Sequence, residues 1–139
     1  MPIIFKKIEY SELNSRQQET YNFQKLSSVL AGFGYLTIRL SDDWNGADFI
    51  AQHFITKAFL KVQLKGRLCF YQKYCEKDLY ICFNEGGAWY LYPHDELLKH
   101  VLAMGLLVGT ESWEIKHGYS FPEIPKRLKE LLAPFRLTE

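Results

Sequence analysis

Residues 44–67 read WNGADFIAQHFITKAFLKVQLKGR. Two alternating runs face each other in this stretch. In the first, Ala47, Phe49 and Ala51 alternate with Asp48, Ile50 and Gln52; in the second, Leu60, Val62 and Leu64 alternate with Lys61, Gln63 and Lys65. Alternation of period two marks half-buried strands, and Ile55-Thr56-Lys57 between them is the turn of a hairpin. One face is apolar throughout. The other carries an acid, an amide and an amine beside Ile50.

Side chains on paired antiparallel strands meet across the ladder. A register that keeps the faces matched sets Asp48 opposite Gln63 or Lys65. A slip by an odd step would put Asp48 among the leucines, so the apolar pattern forbids it. A carboxylate, an amide oxygen and an ammonium therefore converge on one patch. The two oxygen donors are hard ligands of the kind that hold Mg²⁺ with several waters retained. An ammonium beside such an ion orients a water or steadies negative charge developing on a phosphate. The same residue types also suit any water-facing side of an antiparallel sheet, and the pattern alone allows both readings.

Gly46-Ala47-Asp48 followed by Gln63-Leu64-Lys65 resembles the signature of the PD-(D/E)XK nuclease superfamily. That signature is an Asp at the head of one strand, then an acidic residue, any residue and Lys on the next. Ala47 stands in place of the signature proline and Gln63 in place of the acid. Glutamine keeps an oxygen ligand and removes a negative charge. The resemblance spans roughly residues 12–105. It implies an α/β (α+β) class and a restriction-endonuclease-like fold, with a central mixed β-sheet flanked by helices. It also implies a metal-dependent endonuclease that hydrolyses phosphodiester bonds in DNA. Asp48, Gln63 and an acid on the first helix would hold Mg²⁺ (or Mn²⁺), joined by the backbone carbonyl beside Gln63. Lys65 would position the attacking water or neutralise the phosphate. Cleavage of both strands by a chain of this size implies a homodimer. Gln63 keeps a second reading open: a nuclease-like module that binds nucleic acid or protein with weak catalysis or none.

A first helix is expected from an N-cap at Ser11 or Asn14-Ser15 to about Phe33. Phe23, Leu26, Val29, Leu30 and Phe33 recur at helical spacing as its buried stripe. Glu19 continues that stripe toward the N-terminus. Either it completes the metal site, as the resemblance implies, or it complements the helix dipole. Gln24 is its rival, pointing about 140° away on a 3.6-residue helix.

Gly32 and Gly34 end the helix, and Tyr35–Leu40 alternates as a strand. Ser41–Gly46 reads as a turn, with Asp42 and Asp43 as turn formers and Trp44 at the rim of the site. The following LCFYQKYCEK either continues the strand or forms a short helix, where the superfamily core has a helix. Asp78–Phe83 and Ala88–Tyr92 form a second hairpin about Asn84-Glu85-Gly86-Gly87. Asp95 is expected to cap a helix to about Met104, and Trp113 with Ile115 to mark a small strand. A last helix follows Pro125 to about Leu132, with Ile124, Leu128, Leu131 and Leu132 inward and Lys126, Arg127 and Lys129 outward. Residues 1–10 read as a short strand or an ordered arm.

A chain of 139 residues is one domain with one core, here about 12–105 with an appendage at 106–139. Hydrophobic residues at 47% and charged residues at 24% are ordinary for a globular protein, and aromatics at 16% suit a β-rich core. A net charge of +1 excludes a generally basic nucleic-acid binder. Charge is local instead: Lys57, Lys61, Lys65, Arg67, Lys73 and Lys77 fall in one segment opposed by Glu76. This is either a solvated face or a phosphate-neutralising patch, with Lys61, Arg67, Lys73 and Trp44 as the candidate nucleic-acid contacts. Cys69, Cys75 and Cys82 fit no zinc module and read as reduced packing residues. The four histidines are scattered, and His94 and His100 share no helix face. No leader or membrane span is legible, so a cytoplasmic protein without membrane partners is expected.

Overall fold

The computed structural model describes residues 3–138, the Asp43 side chain excepted. Residues 3–9 carry no regular secondary structure, and Met1 and Pro2 of the expected arm lie outside the described residues. A 3-10 turn follows at Tyr10–Glu12. Helix α1 (Ser15–Gly32) then starts at the Asn14 N-cap. Asn14 Oδ1 accepts from the Gln17 amide while the Gln17 side chain accepts from the Asn14 amide, at 2.9 and 3.0 Å. This reciprocal box satisfies two donors that a helix start leaves orphaned. Leu26 and Leu30 are buried and Phe23 and Val29 half-buried. Phe33 is the C-cap and 40% exposed, so the buried stripe ends at Leu30, two residues before the helix does.

Strands β1 (Tyr35–Trp44) and β2 (Ala47–His53) form the first hairpin. Its turn is Asn45-Gly46 alone, with φ of 51° and 88°. This left-handed pair is the backbone that an Asn-Gly hairpin turn requires. The turn expected over Ser41–Gly46 is thus shorter, because Ser41 to Trp44 stay extended past a register irregularity between Arg39 and Trp44. Strand β3 (Phe59–Leu64) pairs antiparallel with β2, Phe49 facing Val62 and Ala51 facing Leu60. The expected faces hold: Ala47, Phe49, Ala51 and Val62 are fully buried, whereas Asp48, Lys61, Gln63 and Lys65 are half-buried. A one-residue slip would expose three large or medium apolar side chains at about 1.5–3 kcal/mol each. It would also drive charges into the core.

After β3 come β4 (Cys69–Tyr71), a 3-10 turn at Gln72–Tyr74, β5 (Leu79–Glu85) and β6 (Ala88–Pro93). Helices α2 (His94–Ala103) and α3 (Glu111–Glu114), strand β7 (Gly118–Ser120), helix α4 (Lys126–Leu132) and strand β8 (Arg136–Leu137) complete the chain. Among the described residues six strands form one sheet in the order β1-β2-β3-β5-β6-β8, and β4 pairs with β7 in a second, two-stranded sheet. β3 and β5 run parallel and the other paired strands antiparallel. The architecture is α+β with a mixed sheet and four helices. No described helix is long and apolar enough to cross a membrane.

Two expectations change, and the open reading of residues 68–77 resolves as a short strand and a 3-10 turn. The crossover between parallel β3 and β5 is made by β4 and a 3-10 turn, with no α-helix in it. Cys69–Tyr71 are extended because their ladder partner, Gly118–Ser120, arrives from far along the chain. Trp113 lies in α3, not in a strand, since the Thr110 side chain caps that turn by accepting from the Trp113 amide. Asp95 stands in the first turn of α2, whose N-cap is Pro93, and its carboxylate serves other partners.

Two apolar layers flank the sheet. Leu26 and Leu30 of α1 pack on Phe49, Ala51, Val62, Cys82 and Leu91. On the other face Tyr74, Ile81, Phe83 and Tyr92 pack with Leu97, Val101, Trp113, Leu128 and Leu132. The segment after Gly105 therefore shares the core, and β8 closes the sheet edge on β6. Cys69, Cys75 and Cys82 are free thiols, the first and last buried.

Candidate functional site

Strand β3 has two neighbours, and its backbone divides between them. The Lys65 N–H donates to the Cys82 carbonyl of β5 at 2.8 Å. Backbone polar groups alternate sides along a strand, so the N–H and C=O of Leu64 face β2. No main-chain carbonyl of β2 meets that N–H. The Asp48 carboxylate does, its Oδ2 accepting from Leu64 N at 2.9 Å. At this point the two strands fork: Ala47 pairs back with Trp44 of β1, while Leu64 pairs with Cys82 of β5.

The fork opens into a cleft of about 550 Å³. Asp48, Gln63, Leu64 and Lys65 form its floor, and Arg39 and Asp42 of β1 one wall. Helix α1 supplies the opposite wall through Ser15, Gln18, Glu19, Asn22 and Phe23. These positions recur at three- and four-residue spacing and so form one helical face. The same face carries Leu26 and Leu30 into the core two turns later. Glu19 is exposed and borders the cleft. Gln24 is exposed on another face and does not border the cleft.

Lys65 is held in place. Its Nζ lies 5.3 Å from the centroid of the Tyr71 ring and 5.6 Å from that of Tyr74, close enough for cation–π attraction to both. Burial pulls the ammonium's pKa down, but the Tyr74 hydroxyl, Cys69 and Tyr71 outweigh it and leave the pKa above 10.5. Lys65 is therefore a cation at neutral pH. Burial likewise raises the Tyr74 hydroxyl, against the pull of Lys65 and with a further push from Asp48. Arg39 donates from Nη1 to Thr20 Oγ1 at 2.9 Å and lies 5.5 Å over the Phe23 ring. Three carboxylates and two cations thus line the cleft, so an anionic ligand and a cation can be accommodated together.

The donor chemistry fits a hard divalent cation: the carboxylates of Asp48 and Glu19, the Gln63 amide oxygen and the cleft-facing Leu64 carbonyl. Among the described residues the acids of the cleft do not form a group of three with ligand atoms within 4.8 Å of one another. Such a group exists elsewhere, at Cys75, His94 and Asp95. Its hydrogen bonds argue against a metal. His94 Nε2 accepts from the Tyr71 amide at 3.1 Å, so the ring proton is on Nδ1 and donates to Asp95 Oδ1 at 2.9 Å. Asp95 Oδ2 accepts from the Glu76 amide at 2.8 Å. Both imidazole nitrogens are committed, and the trio ties the 3-10 turn to the start of α2.

The candidate nucleic-acid contacts scatter. Lys61 donates to the Lys77 carbonyl at 2.6 Å and lies over the Trp44 ring at 5.6 Å. Together they border a separate hollow with Phe59 and Tyr80, so Trp44 is not at the rim of the cleft. Lys73 Nζ also lies over Tyr71 and Tyr74, 5.5 and 5.3 Å from their centroids. Arg67 is exposed beyond Lys65.

Several cleft residues carry no signal in the sequence. Asp42 reads as a turn former and Arg39 as a strand position. Tyr10 is tied to the site by α1: its hydroxyl accepts from Asn22 Nδ2 at 2.8 Å and its carbonyl from Gln18 Nε2 at 3.3 Å. Tyr74, which holds Lys65 from outside the cleft lining, lies in a segment of ambiguous pattern. No protein-family model, curated protein or solved structure matches this chain.

Proposed function

We propose that the cleft is the active site of a metal-dependent nuclease acting on phosphodiester bonds in DNA, on a restriction-endonuclease-like core. One observation carries this reading. Glu19 from α1, Asp48 from β2 and Gln63 with Lys65 from β3 border a single cleft. The hairpin motif alone cannot bring Glu19 there. It arrives by the packing of α1 on the sheet, and it restores a carboxylate where Gln63 has none.

Bound Mg²⁺ or Mn²⁺ would supply Lewis acidity and a water acidic enough to attack near neutral pH. Asp48, Glu19, Gln63 and the Leu64 carbonyl would hold it. Asp48 is oriented for this by the Leu64 amide, which fixes one of its oxygens. Lys65 offers a fixed positive charge to the phosphate as negative charge grows on its oxygens, and its donors can orient the attacking water. Arg39 on the far wall is placed to engage a neighbouring phosphate. The crossover through β4 departs from the superfamily core, whose corresponding element is a helix.

Calorimetric titration of Mn²⁺ into wild type and Asp48→Asn, with nicking of supercoiled DNA as the activity readout, tests the proposal. Metal binding and nicking that both vanish in Asp48→Asn support it. Nicking that survives in Asp48→Asn assigns any cleavage to another site and sinks it.

A second reading has its own observation. The amide at Gln63, and cleft acids that among the described residues form no group of three within 4.8 Å, favour a cleft that holds a nucleic-acid phosphate through Lys65 and Arg39 without cutting it. DNA binding that is independent of divalent cation and lost in Lys65→Ala, with no nicking, selects that reading.

A further inference from the structure

A second cavity of about 550 Å³ adjoins the cleft, and Lys65, Tyr10 and Asn22 border both. Its chemistry differs. The cleft has three acids, whereas among the described residues no acid lines the second cavity. Tyr21 of α1 and Trp89 of β6 supply aromatic surface, and Asn84 across the ladder from Trp89 an amide. Lys25 and Lys65 make the cavity cationic. The aromatic wall is ordered: Tyr10 meets Tyr21 edge to face at 5.3 Å, and Lys25 Nζ lies 5.4 Å from the Tyr21 ring.

Asn22 Nδ2 donates to the Tyr10 hydroxyl and Asn84 Oδ1 accepts from the Gly87 amide, which leaves Asn22 an oxygen and Asn84 an N–H₂ to offer a base edge. Aromatic faces, such amide groups, and cations without carboxylates are the combination that takes an unpaired nucleotide. A base inside a duplex is stacked and paired, and cannot enter a hollow walled by a helix and a strand without leaving the stack. We infer that this cavity receives the base of an unpaired nucleotide adjacent to the phosphate bound in the cleft. The preferred substrate is then single-stranded, or carries an unpaired stretch at the cut. The inference rests on the nuclease reading of the cleft and adds the substrate class to it.

The experiment measures binding of three labelled probes by anisotropy, with and without Mn²⁺. They are a short single-stranded oligodeoxynucleotide, its blunt duplex, and an abasic oligomer of the same length. Proteins are wild type, Tyr21→Ser, Tyr21→Phe and Trp89→Leu, each checked for thermal unfolding. Wild type is expected to bind the single strand roughly tenfold or more tighter than the abasic oligomer, in line with one or more stacked bases. Tyr21→Ser and Trp89→Leu should erase that preference and leave abasic binding unchanged, while Tyr21→Phe keeps it. If Trp89→Leu unfolds early, the contrast between Tyr21→Ser and Tyr21→Phe decides alone. Equal binding of all three probes, unmoved by the variants, overturns the inference. Asp48-dependent nicking of duplex DNA would still stand in that case. No nucleic-acid binding by wild type under either condition removes both readings.

Discussion

Asp48 Oδ2 accepts a 2.9 Å hydrogen bond from the Leu64 amide across the fork between β2 and β3. The carboxylate thus replaces a main-chain acceptor at the point where the ladder ends. Asp48→Ala should cost about 1–3 kcal/mol, because the Leu64 amide loses its acceptor. Asp48→Asn keeps an oxygen there and should unfold close to wild type while losing Mn²⁺ binding. Thermal melts and calorimetry on the pair separate the structural part of Asp48 from the chemical part. Equal stability of the two variants would show that the hydrogen bond contributes nothing.

Lys65 is expected to act as a fixed cation, not as a proton acceptor. Its pKa is held above 10.5, so its charge stays constant through the neutral and mildly basic range. Any cleavage should show no basic limb or plateau attributable to Lys65 below that value. Tyr74→Phe removes the hydroxyl that raises the pKa, and should lower the Lys65 titration point measured by NMR of the labelled side chain. Lys65→Ala should cost at least tenfold in rate or affinity, and Lys65→Arg should restore charge without restoring the fit between the two rings.

His94 predicts an acid-sensitive fold. Burial lowers its pKa below 6.5, against the opposing pull of Asp95, and protonation would strip the Tyr71 amide of its acceptor. The unfolded chain therefore binds more protons than the native one between the native pKa and 6.5. Stability from this residue is complete above 6.5 and falls as pH drops through that window. Asp95, Cys75 and the Tyr74 ring are the groups that face it. His94→Gln keeps an acceptor for Tyr71 and should flatten the slope of melting temperature against pH across that window. An unchanged slope would place the acid sensitivity elsewhere.

Gly118 is predicted to bear on the cleft from a distance. A β-carbon there would clash with Cδ1 of the Tyr71 ring, against which Gly118 packs in the β4–β7 ladder. Gly118→Ala should destabilise by about 1–3 kcal/mol through overpacking. It should also shift the ring that Lys65 rests on, weakening whatever activity Lys65 supports. Melting temperature and activity falling together, with Gly66→Ala harmless to stability as the control, would confirm the route.

The alternation in residues 47–65 was enough to set the β2–β3 hairpin and which faces match, because burying Asp48, Gln63 and Lys65 in place of Phe49, Ala51 and Val62 is too costly to compete. The choice between the two face-matched registers came from the structure, where Phe49 pairs with Val62. Helix α1 was legible for the same reason, and so was the helical face that Glu19 shares with Leu26 and Leu30, although Glu19 itself is exposed at the cleft and not buried with them. What sequence could not supply is whatever depends on partners distant in the chain. Cys69–Tyr71 becomes a strand only because Gly118–Ser120 pairs with it, and Lys65 is held by two tyrosines from that crossover. Asp42, Arg39 and Tyr10 reach the cleft through an extended β1 and a hydrogen bond to α1, neither of which leaves a periodic trace. Local pattern is fixed by which face of an element meets water. The cleft is a space between elements, and only their packing creates it.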